Sequence, residues 1–420
     1  MFFLYQILLI ILLIFSPLII FFRIFKKKED KKRYKEKFCF PSKKRINGNL
    51  IWFHGSSVGE LLSILPLVQE LEKNKSINQI LVTTSTLSSA QIFKKFSFKK
   101  TIHQFFPIDS ILFSYKFLNY WRPTIAIFVE SEIWPSIFRA LNKKDIPLKL
   151  LNARITKKTF NKWMRVKKFS NSVFQNISIA YPQNEETLNY LKKLNVKKIK
   201  KIGNLKFFNN QQSKLTKLDN TFLKNINLKK IWCASSTHPG EEIICADVHI
   251  NLKKKYKNLL TIIIPRHIHR VNKIVNEIKS LDLNIVLHSS RPKKLNNTDI
   301  YLVDTYGETQ KFYHSSDIVF MGKSISGKGG QNPLEPTNLG STVLYGPNVD
   351  NFKDTYKLLN KLKVAYKVNG VKTLTQSIDK LITKPNNKKN YLKIAKMGKK
   401  ILNETKDEIN SLFNNEIKKT

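Results

Sequence analysis

The sequence predicts an α/β protein of two parallel-sheet domains behind an N-terminal membrane-anchor helix. Three observations lead there. Residues 2–22 (FFLYQILLIILLIFSPLIIFF) carry no charge. Beyond them, apolar strand-like runs alternate with longer amphipathic stretches, the pattern of parallel sheets covered by helices. That rhythm lapses after about residue 207 and restarts at residue 230. The expected divisions are an anchor over 1–25, a first domain over 26–207, a linker over 208–229 and a second domain over 230–420.

The apolar run is long enough to enter or cross a bilayer. A cleaved signal peptide would carry its basic residues before the run and a small-residue site after it. Here Arg23 and the lysines from Lys26 onward follow the run instead. The segment therefore reads as a retained anchor, and the positive-inside bias puts the rest of the chain on the cytoplasmic side of the membrane. Lys26 to Lys37 then meet anionic headgroups.

In the first domain the expected strands include LIWFH (50–54), ILVTT (80–84), TIAIFVE (124–130), LKLLNA (148–153) and SIAY (178–181). The second series runs through KIWCAS (230–235), LLTIIIP (259–265), NIVLH (284–288), IYLV (300–303), DIVFMG (317–322) and TVLYG (342–346). Residues 208–229 are rich in Asn, Gln and Lys and lack an apolar period, which marks the linker.

The 420 residues carry a formal charge of +44. Such a charge attracts polyanions of several kinds, whether nucleic acid, an anionic bilayer or a phosphorylated lipid. Its Lys-rich origin, beside abundant Asn and Ile, also reads as compositional bias. Three cysteines, Cys39, Cys233 and Cys245, form neither a CxxC pair nor an even framework, which fits a reducing compartment and no structural zinc. There is no GxxxxGK[ST] loop, no GxSxG elbow and no zinc-spaced His/Cys set, so ATPase, serine hydrolase and metalloprotease readings lack support.

The chemistry-bearing motifs fall at the expected carboxyl ends of strands, where doubly wound sheets bind ligands. IWFHGSSVGE (51–60) puts Glu60 in a first helical turn, where a carboxylate is able to deprotonate a hydroxyl. Ser57 and Glu60 also have the spacing of a capping box. Glu130 and Glu132 follow an apolar strand in FVESEIWPSIF (128–138), with Trp134 and Pro135 packing the turn. LNARIT (151–156) carries Asn152 and Arg154, and KIGNLKFF (201–208) carries Lys206, whose ammonium suits a departing phosphate.

In the second half, ASSTHPGEEI echoes HGSSVGELL as a small-residue strand-to-helix turn with Glu at the helix start. Arg266 directly follows a very apolar strand and Pro265, placed for a phosphate or a base. His267 and His269 form a His-x-His pair without a third ligand, so no metal site is expected. DTYGE (304–308) is a glycine turn. SISGKGGQNPLEPTNLGSTVLYGP (324–347) sets glycines before Asn332, Pro333 and Glu335, a turn able to cradle phosphate with its amides. Glu335 suits a ribose diol.

Taken together, HGSSVGE, VESEIWP, LNARIT, IGNLKF, ASSTHPGEE, IPRH, DTYGE and GGQNPLEP stand in one order over nearly the whole chain. In that order and spacing the sequence resembles the bacterial 3-deoxy-D-manno-octulosonic acid (Kdo) transferases of lipopolysaccharide assembly. The resemblance implies a GT-B glycosyltransferase: two facing Rossmann-like domains, the first for the acceptor and the second for CMP-Kdo.

By motif, the resemblance makes Glu60 the catalytic base and Glu130 and Lys206 the transition-state stabilisers. It places CMP on Pro265 and Arg266, on Tyr306, Gly307 and Glu308, and on Asn332, Pro333, Leu334 and Glu335. Tyr306 stands where the family commonly has Met, and Gln331 where it commonly has His. The implied reaction is inverting transfer of Kdo from CMP-Kdo to a hydroxyl of the lipid A precursor (lipid IVA). It needs no cofactor and no metal, and its partners are donor, lipid acceptor and anionic inner-membrane lipids, with no nucleic acid. Two rival readings remain: a GT-B transferase using a UDP-sugar, and a noncatalytic basic membrane protein tethering nucleic acid or anionic lipid.

Overall fold

Six short apolar runs of the first half assemble into one parallel sheet: β1 (Leu50–His54), β2 (Gln79–Thr84), β3 (Thr101–Phe105), β4 (Ile125–Val129), β5 (Leu148–Ala153) and β6 (Ile177–Pro182). β1 and β4 are buried along their whole length, as expected of parallel strands covered on both faces. The computed structural model describes residues 2–208, 218–292, 294–384 and 388–419.

The strand order is β3-β2-β1-β4-β5-β6, and every pairing is parallel. The chain leaves β1 for β2 on one side and later places β4 on the other. The β1/β4 boundary is therefore the topological switch point, where a crevice opens beyond the strand ends. Trp52, Phe128 and Phe138 fill the core beneath it.

The second sheet repeats the plan with β7 (Lys230–Thr237), β8 (Leu259–Pro265), β9 (Ile285–Leu287), β10 (Ile300–Leu302), β11 (Ile318–Met321), β12 (Thr342–Tyr345) and β13 (Ala365–Lys367). Its order is β13-β12-β11-β7-β8-β10-β9, again wholly parallel, with its switch point between β7 and β11. Trp232, Ile263 and Phe320 lie in its core.

Every expected strand is present to within two residues at either end, and two strands were absent from the expected set. β3 carries buried polar residues, Thr101, His103 and Gln104, in place of an apolar run. Two of them find partners in the segment ahead of β1, where Arg33 donates to the His103 carbonyl at 2.9 Å and Ser42 accepts from Gln104 at 3.1 Å, while Thr101 donates to Glu72 at 2.8 Å. β13 is a three-residue edge strand, too short for a period to show.

The domain limits also need correction. The chain divides into a unit of Met1–Phe208 with Gly398–Thr420 and a unit of Asn209–Met397. The second domain therefore does not run to residue 420. Within the helix Lys388–Ile417, the last two-thirds packs on the first unit: Glu408 accepts from Tyr181 at 3.0 Å and pairs with Lys200 at 2.5 Å, and Phe413 is buried. Of the expected linker, residues 209–217 lie outside the described residues. Its later part forms the helix Asn220–Asn227, whose Phe222 packs on Tyr301 at 4.8 Å between ring centroids. Phe222 and Ile226 stand four apart, one face of a helix turn, which the surrounding Asn and Lys hid in the sequence.

The helix Phe2–Phe25, α1, is apolar and long enough to cross a membrane, with Pro17 inside it.

Candidate functional site

The first unit collects its chemistry at the β1/β4 switch point. β1 ends at His54, and the turn through Gly55 and Ser56 leads into helix α2 (Val58–Leu71). Ser57 caps this helix. Its hydroxyl accepts the Glu60 amide at 3.3 Å, and its own amide donates to Glu60 Oε2 at 3.0 Å. The capping box is therefore real. It occupies one carboxylate oxygen only; Glu60 Oε1 has no hydrogen bond among the described residues.

Burial first, and then the negative charge of Glu132, raise the Glu60 pKa above the ordinary carboxylate value; the Ser57 amide opposes them and Glu130 adds to the rise. Glu60 thus has a raised proton affinity, the property wanted in a general base.

Glu130 terminates β4 with a left-handed backbone, φ 56°. Such a conformation is strained for a residue with a Cβ. It is held by the Glu130 amide donating to Leu151 at 2.9 Å and the Glu130 carbonyl accepting from Arg154 at 3.2 Å. The turn brings the Glu130 carboxylate, only 5% exposed, to 2.5 Å from Lys206 Nζ. Lys206 rides on a single turn, Leu205–Phe207, fixed from two sides. Asn204 Oδ1 accepts the Lys206 amide at 2.9 Å, and buried Asn152 at the end of β5 accepts the Leu205 amide at 3.3 Å.

Glu132 forms a second network. Its Oε2 lies 3.1 Å from His54 Nε2, and it accepts from Ser56 at 2.5 Å and from Trp134 Nε1 at 2.8 Å. Burial works to raise the Glu132 pKa, but the bonds from His54, Ser56 and Trp134 prevail and hold it below the ordinary value. Glu132 is thus a fixed negative charge beside Glu60. The other nitrogen of fully buried His54 stands 3.0 Å from Thr83 Oγ1 on β2. One chain of polar contacts therefore crosses three adjacent strands.

In the second unit the loop after β11 dominates. Fully buried Glu241 at the start of the helix Glu241–Lys253 accepts amides from Lys323 at 2.7 Å, Ser324 at 2.9 Å, Ile325 at 3.0 Å and His238 at 3.0 Å. The charge-assisted bonds from Lys323, Ser324 and Ile325, with a longer one from Ser326 at 3.4 Å, pin the glycine-rich loop to this carboxylate. Gly322 must lack a side chain there, because a Cβ would fall 2.5 Å from the Ser236 carbonyl and 2.8 Å from Glu241 Oε2. Glu242 takes a bidentate bond from Arg270 at 2.9 and 3.1 Å and one from Thr237 at 2.8 Å.

A sequence model of the family described as 3-Deoxy-D-manno-octulosonic-acid transferase (kdotransferase) matches residues 32–209. The 3-deoxy-D-manno-octulosonic acid transferase of Rickettsia bellii (strain RML369-C) is 34% identical over 397 residues, covering 92% of this chain and 93% of its own. The chain belongs to the Kdo transferase family. The relative from Haemophilus influenzae (strain ATCC 51907 / DSM 11121 / KW20 / Rd) is 29% identical over 86% of this chain and 85% of its own. A UDP-N-acetylglucosamine 2-epimerase superposes with a TM-score of 0.57 at 15% identity, over 86% of this chain and 94% of its own. A glycosyltransferase from Rickettsia africae ESF-5 gives 0.56 at 14% identity, over 89% and 100%. These two show the GT-B-type pair of α/β domains, and the family makes the protein a glycosyltransferase that transfers Kdo.

In this Kdo transferase the sequence-selected residues fall into two groups. Glu60, Glu130 and Lys206 gather at the first unit's switch point. The others stand at the carboxyl ends of β8, β10 and β11 in the second. Arg266 is exposed just past β8, and its amide donates to Thr237 at 3.1 Å. Tyr306 is 73% exposed, Gly307 has φ 84°, and Glu308 pairs with Lys311 at 2.6 Å. Asn332 Oδ1 accepts the Leu334 amide at 3.2 Å, and Glu335 is exposed on the turn Leu334–Asn338. Pro265, Pro333 and Leu334 are buried, so their side chains shape this surface from within.

His54 is absent from the residues the sequence singles out, and Glu132 enters there only as a strand-end carboxylate beside Glu130, with no role of its own. Their signal was present, since Glu132 stands two residues beyond Glu130 and His54 closes a wholly apolar strand. A residue's partner across a sheet is set by strand order, which neither motif contains.

Proposed function

We propose that this Kdo transferase moves Kdo from CMP-Kdo to a hydroxyl of the lipid A precursor with inversion, using Glu60 as general base. The observation that carries the reading is the placement of Glu60. It is a carboxylate at a switch point with one oxygen uncommitted and its proton affinity raised by burial and by Glu132.

In the proposed step Glu60 takes the acceptor hydroxyl proton as that oxygen attacks the anomeric carbon of Kdo. The bond from that carbon to the CMP phosphate breaks, and its electron pair leaves with CMP. Glu130 and Lys206 stabilise the charge that develops; the ammonium offsets the departing phosphate and the buried carboxylate holds the ammonium in place. Arg266, Gly307, Glu308, Asn332 and Glu335 bind CMP, backed by Pro265, Pro333 and Leu334, with Tyr306 over the same surface. The enzyme works on the cytoplasmic side of the inner membrane, held by α1 and by Lys26 to Lys37 against anionic lipid.

Mass spectrometry of lipid IVA incubated with CMP-Kdo and the full-length enzyme tests the reading. One or more Kdo increments with wild type, and none with Glu60→Ala, are expected. Transfer from a UDP-sugar but not from CMP-Kdo overturns the donor, and full activity of Glu60→Ala overturns the base.

A further inference from the structure

The apolar helix α1 is not free of the first unit. Its less exposed positions, Phe2, Tyr5, Leu9, Leu13, Ser16 and Ile20, recur every three or four residues from the first turn almost to the last. This is the stripe of a helix lying along a surface for its whole length. The opposite face is bare: Phe3 is 78% exposed, Ile14 69% and Phe21 64%.

Both ends of α1 are tied to the same unit. At the first turn the Tyr5 hydroxyl donates to Asp109 at 2.7 Å, and Gln6 Nε2 donates to Ser136 Oγ at 2.8 Å. The Arg139 guanidinium sits 4.4 Å from the centre of the Phe2 ring. Asp109 is buried and accepts the amides of Ser136 at 3.1 Å and Ile137 at 2.9 Å. At the last turn Arg23 pairs at 3.0 Å with buried Glu29, which also takes Lys37 at 2.7 Å. The Lys37 carbonyl in turn accepts the amide of Ile108, the neighbour of Asp109. Tyr5 and Arg23 are about 27 Å apart along the helix at 1.5 Å per residue.

A helix crossing the roughly 30 Å hydrocarbon layer carries its first turn to the far side. Tyr5 and Gln6 would then be out of reach of Asp109 and Ser136. Resting on the reading that α1 meets the membrane, we propose that it lies in the membrane surface without crossing it. Its bare face enters one leaflet, and its first turn stays docked on the catalytic unit. The occupant of that face is anionic lipid. Exposed Lys26, Lys27, Lys28, Lys31 and Lys32 follow the helix, and Leu112, 71% exposed, adds apolar surface next to Ile111, whose amide donates to Gln6 of the docked turn at 3.4 Å. The in-plane anchor holds the β1/β4 crevice at a fixed height above the lipid, where an acceptor need only be lifted partly from its leaflet.

The test uses the full chain with a short epitope ahead of Met1, in inverted inner-membrane vesicles whose outer surface displays the catalytic units. The expected result is chain that floats with the vesicles and an epitope that external protease removes without detergent. A floating chain whose epitope is protected until detergent is added overturns the in-plane geometry while leaving the anchor intact. A chain that stays in the soluble fraction, or that pairs with a second copy through this face, overturns the membrane reading itself. As a second measure, Phe2→Cys with Arg139→Cys, at positions that pack on one another and are open to reagent, should be joined within one chain by a short bis-maleimide in intact vesicles, and absence of that link in floating chain also overturns the proposal.

Discussion

The two strand-to-helix turns that echo one another in sequence, HGSSVGE after β1 and SSTHPGEE after β7, differ in what surrounds the glutamate. Both follow the first strand of a sheet at its switch point. In the first, Glu60 receives a single amide from its own cap, and one oxygen remains open. In the second, Glu241 is fully buried and saturated by amides from two loops. The difference lies in the next loop of the sheet. The loop after β11 folds over Glu241, whereas the corresponding position beside Glu60 is taken by Glu132, which is engaged with His54, Ser56 and Trp134. A carboxylate at a helix start is structural where neighbouring amides fill it and chemical where a second charge keeps its proton affinity high.

The sharpest break of the comparison is to remove each glutamate's charge. Glu60→Gln keeps the cap acceptor and should lower the Kdo transfer rate by about 10²–10⁴-fold, the range for loss of a general base. The urea midpoint should stay near that of wild type. Lys206→Met should cost about 10²-fold in the same mass-spectrometric rate, as for one lost transition-state donor. Combined with Glu130→Gln it should cost less than the product of the single effects, because the two groups share one contact. Strictly multiplicative losses would show that the pair does not act as a unit.

Glu241→Gln should invert the pattern. An amide cannot accept from four loop donors on two oxygens, and each buried donor left unpaired costs about 1–3 kcal/mol. The expected outcome is a fall in urea stability of about 3 kcal/mol with weakened CMP binding. A variant with wild-type stability and CMP affinity would mean that the amides, not the carboxylate, shape the glycine-rich loop.

The sheets were legible because parallel strands covered on both faces are continuous apolar runs, and β5 and β8 match their expected limits residue for residue. Glu60, Glu130 and Lys206 were legible as family motifs; the first two converge because β1 and β4 are neighbours, and Lys206 reaches Glu130 from the turn Leu205–Phe207 that Asn152 and Asn204 hold. Tertiary exchange was not legible. β3 hides its polar face behind Arg33, and the helix Lys388–Ile417 returns to the first unit through Glu408, whose partners Tyr181 and Lys200 lie over 200 residues away. Such pairings depend on where elements meet, and no local period records them. The equivalence suggested by the two glutamate turns failed for the same reason: the loop amides that fill Glu241 are supplied from 82 to 84 residues downstream.

The finest test alters Glu60 without touching it. Glu132 stays ionised because His54, Ser56 and Trp134 hold its pKa down, and its charge is one cause of the raised Glu60 pKa. Glu60 must be deprotonated to act as a base, so the rate should rise with pH through a pKa above the ordinary carboxylate value. Glu132→Gln retains an oxygen to accept from Ser56 and Trp134 while removing the charge. The raised state of Glu60 is then partly relieved, its ionised form persists to lower pH, and the acid limb of the transfer rate moves toward lower pH. The plateau rate should change less than in Glu60→Gln. A limb that stays in place would assign the rise to burial and Glu130 and leave Glu132 as packing for the His54 ring, whereas a limb that moves upward would mean the acid limb belongs to another group.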